Sequence, residues 1–478
     1  MMKKIRNILS IVVSLIIVLC GCGDNSVEKN SENEDVLAKI FIDGVEVTDF
    51  NHKVLQYDIL LPNEVLVQPE ISAENTLGNS DGIKYKYPDT IEGVYMLKYK
   101  GVVYELNLQY DTTPKVLNNS YYRLTQDKEL NIAYFGGSVT GGYGASDESS
   151  KSWASLVTQH LKSKFSDAKI NSLNAAIGGT GTHFGAYRAV SDMNLENYIP
   201  DLVFIEFAVN DVIDNTEAVD AKRYLETIIR TVYSYSPNAD IVMIFITGIG
   251  TKGEDFAQLK AHRTIADQYN IPCINVGKAL CSELDAYLDM NYVTVEHPEW
   301  LKYFKDTVHP NDAGYAKYAS YITTYIDKIF YAEREAGTIE AIKYPEKPVT
   351  EVLANPEMFN ATGKGNIGNF NVTKDGYLTT ETDGATLTIQ FTGTSLKLWC
   401  YAGPMGADCE YTVDGNEIKT ISLKKDSPNH RIFVLADNLN EGEHTIKMVF
   451  KKSTGTNVDI RYFLVTGETN GKNFSISN

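Results

Sequence analysis

The 478-residue chain is long enough for about three domains, and its 43% hydrophobic content excludes disorder over most of its length. A formal net charge of −18, with no basic run beyond the extreme N-terminus, argues against a nucleic-acid backbone as partner. Six cysteines are too few for a disulfide scaffold in a chain of this size.

Lys3, Lys4 and Arg6 precede an apolar run from Ile8 to Leu19, shorter than the ~20 residues that a membrane-spanning helix needs. The Leu19-Cys20-Gly21-Cys22 that follows resembles a bacterial lipobox: a leucine three positions ahead of Cys22 and a small residue just before it. The resemblance implies a signal peptide over 1–21, lipidation at Cys22, and a protein held by its lipid on the extracellular face of the cell membrane. Residues 22–35 are polar, acidic and free of aromatics, and read as a tether.

Residues 36–112 read as an all-β module. Asp43-Gly44 between two apolar pairs is a hairpin pattern; Tyr57, Ile59 and Leu61 alternate, as do Tyr95, Leu97 and Tyr99 ahead of Lys100-Gly101. The stretch resembles the cadherin-like or immunoglobulin-like sandwiches of bacterial surface enzymes, and with no acidic, His or Cys cluster to suggest chemistry, a spacer or packing role is expected.

Residues 113–340 change grammar. A polar connection over Asp111 to Thr125 leads into near-continuous apolar strands (Asn131 to Phe135, Ile170 to Ala176, Leu202 to Phe207, Ile241 to Ile246, Ile271 to Val276). Helical patterns lie between them, and Asp312 to Tyr331 reads as a long final helix. This predicts an α/β domain with a doubly wound parallel sheet covered on both faces. The loops after Phe135, Ala176 and Phe207 then share the rim where such sheets bind ligands. Residues 341–478 return to alternating strands, predicting a second, jelly-roll-like sandwich. Cys400 and Cys409 flank a Gly/Pro-containing turn, so a disulfide across a hairpin and two free thiols are both open. Trp399 and Tyr401 alternate with Leu398 and Cys400, facing either a glycan or the catalytic domain.

Four segments of the α/β domain carry chemistry. Gly136-Gly137-Ser138-Val139-Thr140-Gly141-Gly142-Tyr143-Gly144 follows a buried strand, yet it has no lysine for a phosphate loop, the wrong spacing for a dinucleotide loop, and Thr140 where a Gly-x-Ser-x-Gly elbow needs glycine. In Asp306-Thr307-Val308-His309 a short turn can aim the carboxylate at Nδ1 and leave Nε2 free as a base. His183, near the rim, is the competing histidine. The loops Asn174 to Gly181 and Phe207 to Asp211 supply candidate donors for an oxyanion. His297 and Glu299 lack a third ligand, so neither metal nor cofactor is expected.

In order and position, these segments resemble the SGNH (GDSL-like) hydrolases, over residues 130 to 333. The resemblance implies a flavodoxin-like fold with Ser138 as nucleophile and Asp306 and His309 completing a triad. It places Gly179 and Asn210 beside the Ser138 amide in the oxyanion hole. Gly137 replaces the aspartate of the Gly-Asp-Ser form, as in carbohydrate-esterase branches, and Ala208 replaces a glycine. The expected activity is a serine esterase acting on acetyl or other short-chain esters of extracellular polysaccharide, with Trp300 either a candidate for stacking on a sugar ring or, no less expected, a structural aromatic. A lipid or thioester hydrolase and a non-catalytic glycan-binding lipoprotein are the alternatives.

Overall fold

Two small sheets form the N-terminal region. Leu37–Ile42 turns back through Asp43, at a left-handed φ of 48°, onto Val45–Glu46, and pairs on its other edge with Ile71–Asn75. The second sheet runs, in spatial order, Gln56–Leu61, Val102–Tyr110, Gly93–Tyr99 and Lys84–Lys86. Lys100 and Gly101 both take positive φ, giving a two-residue turn whose twist suits its flanking strands. Alternation then sends Tyr95, Leu97, Leu106 and Leu108 into a shared core with Ile40, Tyr57 and Ile59.

In this computed structural model the described residues are 35–43, 45–48, 50–61, 67–110, 117–251, 256–285, 290, 293–331, 337–362, 367–426, 428–451, 457–469 and 472–477. The expected signal peptide and Cys22 lie outside them. No helix among the described residues is long and apolar enough to cross a membrane.

The central domain is a five-stranded parallel sheet of β1 (Glu129–Gly136), β2 (Lys169–Asn174), β3 (Leu202–Glu206), β4 (Asp240–Phe245) and β5 (Cys273–Asn275), in the order β2-β1-β3-β4-β5. Every residue of β3 and β4 is buried, which requires cover on both faces. One face packs α2 (Trp153–Lys164), α7 (Val276–Asp285) and α8 (Asp312–Tyr331) through Val157, Leu280, Tyr318 and Ile322. The other packs α3 (Thr182–Asp192), α5 (Ala218–Tyr235) and α6 (Ala257–Gln268) through Phe184, Leu225, Ile228 and Ile265. Two short helices complete the site-bearing set: α1 (Ser138–Gly141) after β1 and α4 (Ala208–Ile213) after β3. All five strands are parallel, but the order of winding reverses between β1 and β3, with β2 on one side and β4 and β5 on the other, so these helices flank the crevice of a doubly wound sheet.

Two local expectations change. The connection before β1 contains a helix, Asn118–Tyr122, because the buried Asn119 donates to the carbonyls of Asn238 and Glu340, and the Ser120 amide donates to Asp240. The strand expected to reach Val276 stops at Asn275, and Val276 opens α7.

The C-terminal sandwich has two sheets, one built on Val458–Thr466 and Ser395–Ala402, the other on Gly442–Lys451, Ala385–Gly393 and Asp408–Val413. Cys400 and Cys409 therefore sit on strands of opposite sheets rather than across a hairpin, and both are free, buried thiols. Burial pushes the Cys409 thiol up to about 12 and the Cys400 thiol up as well. Trp399 does not face solvent. It packs on the catalytic domain, stacked on Phe184 of α3 at a centroid distance of 5.0 Å, with Leu353 and Leu464 in the same core.

Candidate active site

β1 delivers the chain to Gly136, and Gly137 turns it into α1 with Ser138 as the first helical residue. The glycine at 137 is a steric requirement. A Cβ there would lie 2.5 Å from the Oδ1 of Asn210, so its absence lets the Asn210 amide approach the Ser138 turn. This gives a local reason for Gly137 in place of the aspartate of the Gly-Asp-Ser form.

The loop ahead of α8 supplies Asp306 and His309. One Asp306 oxygen accepts the amides of Val308 (2.9 Å) and His309 (2.8 Å), which fixes the short turn between the two residues. The other lies 2.7 Å from His309 Nδ1, and His309 Nε2 lies 2.8 Å from Ser138 Oγ. Partial burial pushes the Asp306 carboxyl up, but the His309 and Val308 amides and the imidazole outweigh it and hold the group below its ordinary value. With Asp306 on Nδ1, Nε2 is free to take the Ser138 proton. His183 is not at the serine: its Nδ1 lies 3.6 Å from an Asp214 oxygen, and burial pulls its pKa down.

Trp300 requires a correction. The indole is fully buried, stacked on Phe304 at 3.9 Å, and its Nε1 donates to the Asp306 carbonyl at 2.8 Å. A side chain with no exposed face cannot stack on a sugar; this one pins the backbone of the residue that orients His309. His297, considered as a metal ligand, instead caps the short helix Pro298–Leu301 by accepting the Glu299 amide.

The loop between β2 and α3 passes beside the serine, since a Cβ on Gly178 would lie 3.4 Å from Ser138 Cβ. Gly179 takes the left-handed φ of 69°, a conformation that glycine adopts without strain, with open space around it. Asn174 ties this loop to the serine turn by donating to the Thr140 carbonyl at 2.8 Å. Asn210 reaches the same place from α4. Ser138, Gly179, Asn210, Asp306 and His309 thus gather on one rim.

Sequence reasoning missed three buried groups under that rim. Asp211 accepts the Thr182 amide (2.7 Å) and hydroxyl and lies 2.8 Å from His262 Nε2, locking the start of α3 to α4 and α6. Arg188, fully buried, donates to the carbonyls of Gly136 (2.8 Å) and Ala175 (2.6 Å), the C-terminal ends of β1 and the β2 loop. Its guanidinium lies over the Phe135 ring, and although burial pulls its pKa down to about 10, it remains charged at neutral pH. Glu206, the last residue of β3, accepts from the Thr140 hydroxyl at 2.8 Å, and burial pushes its carboxyl up to about 8. A single polar residue at the end of an apolar strand was the sequence's pointer to Glu206.

The Ser138 turn after β1, the His309 loop before α8 and the intervening sheet coincide with a known family: the GDSL-like lipase/acylhydrolase model matches residues 134–317. The central domain is a GDSL-like lipase/acylhydrolase domain. A two-domain esterase active on acetylated mannans has a solved structure to which this chain is 23% identical, with a TM-score of 0.61 over 75% of this chain and 98% of the other. The structure of that esterase co-crystallised with mannopentaose gives 22% identity and a TM-score of 0.60, over 74% and 96%. Axe2, an acetylxylan esterase from Geobacillus stearothermophilus, is 17% identical, with a TM-score of 0.35 over 43% and 97%. At these identities the likeness of the mannan esterase to the present chain is one of fold. No curated protein matches the chain significantly.

Proposed function

We propose that the protein is a serine esterase that removes short acyl groups, acetyl foremost, from extracellular polysaccharide through an acyl-enzyme. The observation that carries this reading is the unbroken hydrogen-bonded chain from Asp306 through His309 to Ser138. Ser138 Oγ attacks the ester carbonyl carbon as its proton passes to His309 Nε2, and Asp306 stabilises the imidazolium. The Ser138 and Gly179 amides and the Asn210 side chain hold the oxyanion, each donor contributing about 2.7–4 kcal/mol to the transition state. The tetrahedral adduct collapses as Nε2 returns the proton to the departing alcohol oxygen, leaving the acyl group on Ser138. A water molecule then repeats the sequence and releases the carboxylic acid.

The shared fold of the mannan esterase makes acetylated mannans the first substrates to try. The lipobox-like Cys22 supports a lipid-anchored protein at the cell surface, where such polymers are met. Replacement by alanine should release the protein from membranes or leave its precursor uncleaved. The function is tested by acetate release from a panel of acetylated mannans and xylans, with Ser138→Ala as control. Release from at least one polymer, abolished in the variant, is expected; equal release by the variant would discard the mechanism.

A further inference from the structure

The nucleophile loop carries an exposed aromatic ring. Tyr143 is 51% exposed, more than any other aromatic side chain among the described residues. Its backbone is nonetheless fixed. The Tyr143 amide donates to the Ser138 carbonyl at 3.0 Å, its own carbonyl accepts from the Tyr315 hydroxyl at 2.6 Å, and Gly142 and Gly144 on either side take φ of 94° and 96°. A Cβ on Gly144 would strike the Pro310 carbonyl, so the loop packs directly against the His309 segment. The Tyr143 ring ends up 6.0 Å from the His309 imidazole, tilted by 35°. It also borders Gly178, where a Cβ would lie 3.5 Å from the Tyr143 ring and 3.4 Å from Ser138 Cβ. The ring therefore stands close to both the general base and the loop beside the serine, half in solvent, on a backbone that cannot withdraw it.

We propose that Tyr143 is a specificity residue: its exposed ring stacks on the apolar face of the pyranose that carries the ester. His309 must protonate the departing oxygen, so that oxygen sits within hydrogen-bond reach of Nε2. The sugar attached to it projects outward beside the imidazole, where Tyr143 is the flat surface it meets. A pyranose presents C–H groups on one face, and a tyrosine ring offers a matching apolar face with a polar tip towards water. The stacking that the sequence suggested for Trp300 falls to Tyr143 instead, because Trp300 is buried and Tyr143 is not.

This inference rests on the carbohydrate-esterase reading, and one experiment separates the two. Wild type, Tyr143→Ala and Tyr143→Phe are compared on an acetylated manno-oligosaccharide, ethyl acetate and ethyl butanoate. In Tyr143→Ala the ratio of kcat/KM for the oligosaccharide to that for ethyl acetate should fall about three- to tenfold, chiefly through KM. Tyr143→Phe should restore it. An unchanged ratio overturns the stacking role, as does a rise of butanoate over acetate in Tyr143→Ala, which would make the ring a wall of the acyl pocket. A wild type that turns over ethyl acetate but no acetylated sugar overturns the carbohydrate reading itself.

Discussion

The Arg188 guanidinium donates to the Gly136 carbonyl across 2.8 Å, two residues ahead of Ser138 in the chain. A second nitrogen of the same group holds the Ala175 carbonyl, so one buried cation links the ends of two parallel strands just where the Ser138 turn and the adjacent loop diverge. Lysine carries one point charge and cannot span both carbonyls. Arg188→Lys should cost about 2–4 kcal/mol in stability, because a buried carbonyl loses its donor and the charge its geometry. Urea denaturation followed by circular dichroism measures it; a midpoint within error of wild type would show that the linkage carries no stability.

Asn210 and Gly137 should behave as one unit. Asn210→Ala removes the proposed transition-state donor and should lower kcat by about 10²–10³ with a smaller change in KM. Gly137→Ala places a methyl group 2.5 Å from where Asn210 Oδ1 sits and should displace the amide with the fold intact, since the atom in the way ends a flexible side chain. The double variant should be little worse than either single one. Steady-state kinetics on a small acetyl ester decide the matter, and multiplicative losses would mean that the two residues act separately.

Glu206 makes stability depend on pH. The group ionises near 4.5 when unfolded, whereas burial in the fold holds its proton to about 8. Between those values the folded state binds more protons, so this group makes stability fall as pH rises, with a slope of at most about 1.4 kcal/mol per pH unit, and the loss levels off above the folded value. Glu206→Gln keeps a neutral group of the same size and should flatten the decline. Denaturation curves at pH 5 and pH 8 compare the two proteins; parallel declines would place the origin elsewhere.

Cys273, Cys281, Cys400 and Cys409 are buried thiols, none of them in a disulfide. All four should resist a thiol reagent in the native protein and react fully once it is unfolded without reductant. Two missing thiols would require a disulfide, contrary to the reduced state of all four.

What could be read in the sequence was set by how local the cause was. Asp306 and His309 form their contact through one turn, so their spacing was enough. Ser138 stands out only together with the other three segments, because a glycine turn after an apolar strand is by itself ambiguous. Arg188 and Asp211 were not, because each acts between elements far apart in the chain, and nothing in a helical arginine says which carbonyls lie beneath it. Trp300 failed in the other direction: nearness to Asp306 in sequence suggested the rim, while packing on Phe304 took the ring into the core. Trp399 was left between glycan and catalytic domain because strand alternation gives two faces and does not name what covers either one.

The Trp399–Phe184 stack has a consequence for anyone who would cut this protein into parts. Phe184 lies three residues beyond Gly181, at the start of the helix that follows the Gly179 loop, and its outer side is closed by Trp399, with Tyr462 alongside. Leu353 and Leu464 close the same apolar layer. A fragment ending near residue 340 would leave that layer wet and its helix without a backing, so the minimal stable hydrolase is the catalytic domain plus the C-terminal sandwich. Transplanting the sandwich onto another enzyme would carry across a structural wall rather than an interchangeable accessory.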